Sequence, residues 1–343
     1  MLPSKLKNIW LIVLILFVAT SVSAQSIVAL QQGRRTSIRG LSVLNDKVAW
    51  VSGSGGHIGI TTDGGNNWTW QQVKGFEKAD FRDIEAFSDK EAVIISSGSP
   101  AYILKTTDGG INWSVKYEKA DTVYFLDAMD FENPRHGFVL GDPINGKFLL
   151  LETQDGGNSW AQVNDAPAAQ KNEAAFAASG TCLRVADKRI TIVTGGGDSH
   201  VITSPINKLN WSYNKLPLTN GAASKGAFSI AYGKKQAIVV GGDYVRNKAT
   251  DSVAYIFASK HDFKKGAFPS SGPAGYQSGV EFIKDGIFVS TGTSGTNITL
   301  DGGKTWRKIG DDSYNVCRIA KNGSLILLAG DGGKVSLITL DKI

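Results

Sequence analysis

The hydrophobic and polar positions of this chain alternate over short runs, and turn-forming residues separate the runs. The first clear set covers residues 41–44, 48–51, 57–61 and 68–73, with Asn-Asp, Gly-Ser-Gly-Gly and Asp-Gly-Gly between them. Alternation with a period of two, interrupted by such turns, predicts four short β-strands per unit. Helix signals are weak: the alanine-rich residues 166–178 favour a helical turn by propensity, but the repeat register assigns residues 174–179 to the start of a strand.

One motif, Thr-x-Asp-Gly-Gly-x-x-Trp, returns four times, at residues 61–68, 106–113, 153–160 and 299–306. Its two glycines favour backbone conformations with positive φ, and its aspartate accepts hydrogen bonds from nearby backbone amides. The tryptophan begins the next strand and needs a neighbouring unit to bury its ring. The motif therefore predicts hairpin turns that build the fold. On this interpretation its aspartates and tryptophans have a structural role: Asp63, Trp68, Asp108, Trp113, Asp155, Trp160, Asp301 and Trp306.

The spacing of the motif predicts the number of units. The first three aspartates lie 45 and 47 residues apart, and 146 residues, or three further steps, precede Asp301. A decayed copy occupies residues 204–211, where Trp211 remains, and spacing alone assigns another to residues 259–268.

The end of the chain predicts how the units are joined. Residues 339–341 match the start of the motif, so the last unit lacks its fourth strand, and residues 26–32 have the character needed to supply it. The sequence thus predicts an all-β fold, a seven-bladed β-propeller of four-stranded blades whose ring is closed by the N-terminal strand.

The first 24 residues have the pattern of a secretory signal peptide. Lys5 and Lys7 precede an apolar run over residues 9–19, and the small residues of 21–24 follow. An uncleaved membrane anchor is the alternative, but the apolar run is short for a spanning helix. We therefore predict a signal peptide over residues 1–24, a propeller over residues 25–343 with no stable membrane anchor, and a periplasmic, cell-surface or extracellular location.

Composition narrows the choice of partner. The chain has 37 basic and 31 acidic side chains, a formal charge of +6, and no basic run, so nucleic acid is not expected as a partner.

The register of the repeats places Cys182 and Cys317 on opposite faces of their sheets, which argues against a disulfide even in an exported chain. We expect a monomer.

The Thr-x-Asp-Gly-Gly-x-x-Trp repeat resembles the Asp-box, or bacterial neuraminidase repeat, of sialidases, sortilin-type receptors and the photosystem II stability/assembly factor family. Residues 81–84, Phe-Arg-Asp-Ile, before an inner strand are most similar to the last of these, in its exported, non-photosynthetic bacterial branch. That resemblance implies a rigid, non-catalytic ring that binds another protein through arginines on one face. Arg39 and Arg82 occupy matching positions here, whereas the third blade has Leu126-Asp127 where the second has Arg82-Asp83.

The register collects candidate binding residues on one face, opposite the Asp-box turns. The starts of inner strands carry Arg39, Arg82, Asp83, Asp127 and Glu173, and Gly-Asp turns between second and third strands carry Asp142, Asp198, Asp243 and Asp331. Acids and arginines around a channel suit a peptide, a sugar or a cation, although Gly-Asp is also ordinary turn chemistry. The sequence leaves open a scaffold that binds a protein and a glycan-binding or carbohydrate-active module that uses the same face.

The sequence lacks the motifs of several classes of enzyme, cofactor site and metal site. A sialidase needs an Arg-Ile-Pro signature, which is missing, and a glycosidase needs two facing carboxylates, for which Asp83, Glu85, Asp127 and Asp142 are candidates. A β-hairpin follows the glycines of residues 53–59, so they are not a dinucleotide fingerprint. The four histidines (His57, His136, His200 and His261) have no zinc spacing. We predict that the protein uses no cofactor, has no metal site and is not an enzyme. This prediction excludes the oxidoreductase activity with which relatives are often labelled.

Overall fold

A computed structural model describes residues 25–340 as thirty β-strands without a helix. The predicted signal peptide, residues 1–24, lies outside the described residues. Within residues 25–340, no helix is long and apolar enough to cross a membrane. Successive antiparallel sheets contact one another through their inner strands, and the last inner strand contacts the first, so the sheets form a ring of seven blades.

The strands of the first three blades follow the predicted order from the inside outwards. Blade 1 consists of β2 (Ile38–Val43), β3 (Ala49–Gly53), β4 (His57–Thr61) and β5 (Thr69–Gln72). Blade 2 consists of β6 (Asp80–Ala86), β7 (Ala92–Ser97), β8 (Ala101–Thr106) and β9 (Ser114–Lys119). Blade 3 consists of β10 (Leu126–Asn133), β11 (His136–Ile144), β12 (Lys147–Thr153) and β13 (Ala161–Gln162).

Blades 4 to 6 have the same plan. Blade 4 consists of β15 (Leu183–Ala186), β16 (Arg189–Val193), β18 (His200–Pro205) and β19 (Ser212–Lys215), and the two-residue strands β14 (Glu173–Ala174) and β17 (Gly195–Gly196) lie beside it. Blade 5 consists of β20 (Lys225–Tyr232), β21 (Ala237–Asp243), β22 (Ala254–Phe257) and β23 (Gly266–Ala267). Blade 6 consists of β24 (Gly279–Lys284), β25 (Ile287–Gly292), β26 (Gly295–Thr299) and β27 (Arg307–Gly310).

The seventh blade joins the two ends of the chain. It consists of β28 (Val316–Ile319), β29 (Ile326–Ala329), β30 (Val335–Leu340) and β1 (Gln25–Gln31). β1 pairs antiparallel with β30, with Gln25 opposite Leu340 and Ile27 opposite Ile338. The N-terminal strand therefore closes the ring, which confirms the prediction and covers what would otherwise be an open sheet edge.

Blade 4 differs from the sequence prediction. Residues 174–179 were predicted to begin its inner strand, but that strand starts at Leu183, and residues 175–182 lack regular structure. The short pair β14 and β17 instead joins the sheet of blade 5 through Gly195 and Gly226. The alanine-rich segment is thus neither helix nor strand, because its backbone crosses the upper end of the ring, as described below.

The Asp-box turns are built by a fixed set of hydrogen bonds. Thr61 Oγ1 donates to Asp63 Oδ1 at 2.9 Å and accepts the Gly65 amide at 2.9 Å. Asp63 Oδ1 also accepts the Asn67 amide, and Trp68 Nε1 donates to the Gly65 carbonyl. The φ of Gly65 is 92°, a value that favours glycine. The threonine and aspartate bonds recur around Asp108, Asp155 and Asp301. The tryptophan bond recurs at Trp113 and Trp306, whereas Trp160 Nε1 has no hydrogen-bond partner within residues 25–340.

The motif aspartates and tryptophans make contacts within the turns and between the blades. Hydrogen bonds from the hydroxyl and backbone amide of Ser159 lower the pKa of Asp155 to about 2. Trp113 packs among core residues of blades 1 and 2, Trp160 among those of blades 2 and 3, and Trp306 among those of blades 5 and 6. Each ring therefore fills the space between its own blade and the preceding one.

The two cysteines are free thiols, and both are completely buried. Cys182 belongs to the core around blades 4 and 5, whereas Cys317 packs between blades 6 and 7. Burial raises the pKa of both thiols, which keeps them protonated and unreactive.

Candidate functional site

Four inner strands have an irregularity at the same position near their first residue. The pairing between inner and second strands shifts by one residue at Arg39 in blade 1, Arg82 in blade 2, Asp127 in blade 3 and Phe228 in blade 5. A β-bulge adds one unpaired residue and redirects its side chain. These four side chains therefore leave the plane of their sheets and line a common pocket.

The pocket lies on the face opposite the Asp-box turns, which we call the upper face. Its volume is about 530 Å³. Besides the four bulge residues, it is lined by Asp142, Asp331, Asn315, Tyr244, Tyr276 and the segment of residues 174–178. Six blades and the segment before the inner strand of blade 4 thus contribute to one cavity.

One side of the pocket is cationic. Arg82 Nε forms an ion pair with Asp80 at 2.7 Å, and Arg82 Nη1 donates to the Ala177 carbonyl at 3.5 Å. Arg39 forms no ion pair with a carboxylate of residues 25–340. Burial, together with the positive charge of Arg82, lowers the pKa of Arg39. The Arg39 guanidinium is therefore free to bind an anionic group of a ligand.

The two carboxylates whose charges act on Arg39, those of Asp80 and Asp331, already have partners. Asp331 Oδ1 accepts hydrogen bonds from Ser37 Oγ and from Asn315 Nδ2, the latter at 3.0 Å. Asn315 Nδ2 also donates to the Ile38 carbonyl at 3.0 Å. Blades 7 and 1 are thus tied together beside Arg39, which fixes the position of this wall of the pocket.

A neighbouring side of the pocket is acidic. Asp127 is 1% exposed, and neither of its carboxylate oxygens has a hydrogen-bond partner in the described chain. Burial and then the charge of Asp142 raise the pKa of Asp127 well above its ordinary value, and Arg82 opposes this effect. Burial also raises the pKa of Asp142 to about 6. Burial therefore makes both acids harder to ionise than an exposed carboxyl group.

Aromatic rings form the third wall. Phe176 and Phe228 stack with centroids 3.8 Å apart, and Tyr276 meets Phe228 edge-on at 4.8 Å. Tyr244, which is 49% exposed, extends this cluster towards the rim. The pocket therefore offers apolar contact surface beside both charged sides.

The structure separates the predicted site residues into two groups. Arg39, Arg82, Asp127, Asp142 and Asp331 meet in the pocket. Three of the predicted aspartates, Asp83, Asp198 and Asp243, do not line it.

Two of the excluded aspartates and Glu173 serve local bonds. Asp243 binds the Val245 amide at 3.0 Å and Arg246 Nε at 3.2 Å. Asp198 pairs with Lys215 Nζ at 3.1 Å. Glu173 is buried against His200 Nδ1 at 2.8 Å and accepts a hydrogen bond from the Thr194 hydroxyl. These local bonds fit the interpretation of Asp198 and Asp243 as ordinary turn residues after glycine.

The alignment of the third blade with the second was wrong by one residue. Phe81 and Leu126 hold equivalent places in the strand pairing, so the bulge residue Asp127 matches Arg82, and Ala128 matches Asp83. Asp83 consequently points below the pocket, where Met129 N–H donates to its Oδ2 at 2.8 Å. The one-residue shift moves a side chain from one face of a strand to the other, which explains the error.

A smaller cavity of about 110 Å³ lies in the channel beneath the pocket and is lined by Asp83. Residues 175–182 separate the two spaces. Arg318 Nη2 of blade 7 donates to the Ser179 carbonyl at 2.9 Å, and Ser179 Oγ donates to the Ser278 carbonyl of blade 6 at 2.7 Å. Gly180, with φ 71°, lies directly against the Asp83 carboxylate of blade 2. The segment therefore crosses the ring and forms the floor of the pocket.

Sequence reasoning missed the aromatic residues of the pocket. Phe228 holds the register position of Arg39 and Arg82, so a correct alignment of the inner strands would have found it. Phe176 lies in the segment that crosses the ring, and no repeat predicts its course. Residues 25–340 contain no group of three or more His, Cys, Asp or Glu side chains placed to hold a metal ion.

Comparison with known proteins agrees with this architecture. A family model described as photosynthesis system II assembly factor YCF48 matches residues 20–117. YCF48 from Cyanidioschyzon merolae superposes with a TM-score of 0.66 at 15% identity, over 91% of this chain and 98% of that one. This chain is thus a β-propeller that is similar to photosystem II assembly factors in residues 20–117 and in its fold.

Two further structures of this propeller's fold are similar. A structure described as YCF48 bound to D1 peptide has a TM-score of 0.65 at 15% identity and covers 94% of this chain and 96% of its own. BamB from Moraxella catarrhalis has a TM-score of 0.55 at 12% identity, over 88% and 85% of the two chains. No curated protein matches the sequence.

Proposed function

We propose that this chain is a non-catalytic scaffold that binds a segment of a partner protein in its upper pocket. The observation that supports this most is the convergence of cationic, acidic and aromatic side chains from six blades on one cavity. A ring closed by β1 holds these groups in fixed positions, which reduces the entropy lost on binding. A structural relative of the same propeller type is described as bound to a peptide.

The finer part of the proposal concerns the cellular role. An exported scaffold of this kind acts in the assembly or stability of a protein complex of the cell envelope. Its support is the signal-peptide pattern of residues 1–24 and the likeness of the ring to assembly-factor propellers. Secretion of the chain with cleavage before Gln25 is measured by N-terminal sequencing of the native protein.

The test of partner binding is crosslinking capture from the native envelope with tagged residues 25–343. Wild type is run beside Arg39→Glu/Arg82→Glu, with Arg39→Gln/Arg82→Gln as a milder pair. The matched control is Lys47→Glu/Lys90→Glu, which makes the same charge change in exposed turns of the opposite face. Circular dichroism and melting curves verify that every variant folds.

We expect wild type and the lysine control to capture the same defined protein and both arginine variants to lose it. Capture by a folded arginine variant equal to that of wild type would show that the pocket is not the binding site. If wild type captures no defined protein, the scaffold function is wrong, and the glycan alternative becomes the next hypothesis.

Glycan binding is the second candidate because Tyr244 exposes its ring at the rim of a pocket that carboxylates also line. Hydrolysis fits the geometry less well than binding. A glycosidase needs carboxyl groups that flank the scissile bond, whereas Asp127 and Asp142 lie together on one side of the pocket. A glycan array and a screen of chromogenic glycosides against wild type and Asp142→Asn separate these activities from protein binding.

A further inference from the structure

The carboxylates on the acidic side of the pocket lack the partners that buried acids normally have. Both oxygens of Asp127 and Oδ1 of Asp142 are shielded from solvent and make no hydrogen bond. Most buried polar atoms in folded proteins have such a partner, and an unpaired buried carboxylate strongly disfavours its charged form. The backbone amides of Ala177 and Ala175 lie near the carboxyl groups of Asp127 and Asp142, respectively, and offset part of this effect, although the three oxygens named above make no hydrogen bond.

No cation of residues 25–340 neutralises this pair. Arg82 is the cation that acts on Asp127, but its guanidinium is held by Asp80 at 2.7 Å and by the Ala177 carbonyl. No lysine, arginine or histidine of the described chain forms an ion pair with Asp127 or Asp142. The remaining titratable neighbour of Asp127 is the neutral, buried thiol of Cys182. The negative charge must therefore be compensated either by protons or by a ligand.

The cavity beside the pair suits a long side chain. Small residues, Ala174, Ala175 and Ala177, line this part of the pocket together with the ring of Phe125. An alkyl stem packs well against methyl groups and an aromatic edge while its charged end reaches a carboxylate. A lysine or arginine side chain has both parts.

We propose that Asp127 and Asp142 form a subsite for a lysine or arginine side chain of the partner protein. The inference rests on the proposed function and adds the chemistry of the partner segment. It also makes the pocket bipolar, because Arg39 on the cationic side remains free for an acidic group.

A metal ion fits this subsite less well than an organic cation. Calcium needs six to eight oxygen ligands and magnesium needs six in near-octahedral geometry, whereas no third acid, histidine or cysteine joins the pair within residues 25–340. An ammonium or guanidinium group needs only a few acceptors, which two carboxylates supply. A bound cation would also reverse the increase in the pKa of both acids, so binding releases protons.

The experiment uses residues 25–343 and a library of octapeptides that are acetylated and amidated, so that no terminal charge imitates a side chain. Peptides retained at neutral pH are sequenced. The best peptide is then compared with analogues in which norleucine replaces lysine or citrulline replaces arginine. Dissociation constants are measured for wild type, Asp127→Asn and Asp142→Asn, with Asp198→Asn as an upper-face control outside the pocket.

We expect wild type to select lysine or arginine at one position and to bind the neutral analogue roughly thirtyfold or more weakly, as when one partner of a buried charge pair is removed. In Asp127→Asn and Asp142→Asn the charged and neutral peptides should bind almost equally, whereas Asp198→Asn should behave like wild type. Calorimetry near pH 6 in two buffers of different ionisation enthalpy should show proton release that Asp142→Asn reduces.

Three results would overturn the subsite. Library peptides without a basic preference would do so, as would an unchanged ratio of charged to neutral binding in both asparagine variants. Saturable binding of Ca²⁺ or Mg²⁺ that is lost in Asp127→Asn would assign the pair to a metal instead. If selected peptides still lose binding in Arg39→Glu/Arg82→Glu, the proposed function stands while the subsite fails; if wild type retains no peptide, both fail.

Discussion

The buried carboxyl group of Asp83 should make the stability of the propeller depend on pH. Asp83 is 2% exposed beside the channel cavity and accepts hydrogen bonds from the backbone amides of Ile84 at 2.9 Å and Met129 at 2.8 Å. Burial nevertheless raises its pKa from 3.8 to about 7, because the hydrogen bonds and the charge of Arg318 offset only part of the desolvation. The perturbation we propose is Asp83→Asn, which removes the titration and nearly preserves the volume.

The direction in which pH changes the stability follows from proton binding. A carboxyl group with a higher pKa in the folded state binds more protons there than in the unfolded state, so rising pH destabilises the fold. A shift from 3.8 to about 7 corresponds to about 4 kcal/mol at high pH, of which about 2.5 kcal/mol develops between about pH 5 and about pH 8. The variant also loses one amide hydrogen bond, but that cost does not depend on pH.

The measurement is the free energy of unfolding in urea, followed by tryptophan fluorescence at several pH values for wild type and Asp83→Asn. The difference between the two proteins should shift in favour of the variant by about 2.5 kcal/mol over this range. Asp127, Asp142 and Glu85 also titrate with raised pKa values, and comparison of the two proteins largely cancels their effects. Parallel pH profiles would refute the reasoning, since Asp83 would then ionise normally in the folded state.

Three further predictions concern the construction of the ring. Deletion of Gln25–Gln31 exposes the edge of β30, so the shortened chain should elute as dimers or larger species in size-exclusion chromatography; a monomer with the wild-type melting temperature would contradict this. Trp306→Ala removes a 6% exposed indole from between two blades and should cost about 3–5 kcal/mol in urea unfolding, whereas a cost below about 1 kcal/mol would argue against inter-blade packing. Gly180→Ala forces a methyl group against Asp83 at φ 71° and should lower the melting temperature more than Gly221→Ala, at φ 89° with open space around it; equal effects would mean that the crossing segment is loosely held.

Much of the fold was predictable because its determinants are local. The Asp-box turns need only a threonine, an aspartate and two glycines within a few residues, and the structure forms the same bonds in all four copies. Constant spacing then gave the number of blades, and the incomplete last unit predicted that β1 pairs with β30.

The pocket was predictable only where two blades share the same residue type. Arg39 and Arg82 were found because both stand at the bulge of an inner strand, and Asp142 and Asp331 because both follow glycine in equivalent turns. Asp83 was misplaced because a bulge changes the alternation of faces by one residue, and the hydrophobic pattern does not mark that change. Phe228 was missed for the same reason.

The sequence by itself therefore determined the blades and their number, because both rest on a repeated motif whose residues are close in the chain. It also determined the closure of the ring, because the two ends of the chain supply complementary parts of one blade. Only the tertiary structure decided which side chains meet at the centre. The segment of residues 175–182 belongs to blade 4, yet it packs on Asp83 of blade 2, Ser278 of blade 6 and Arg318 of blade 7. Such contacts join distant blades without any periodic signal, because curvature of the closed ring, and not chain order, brings those residues together.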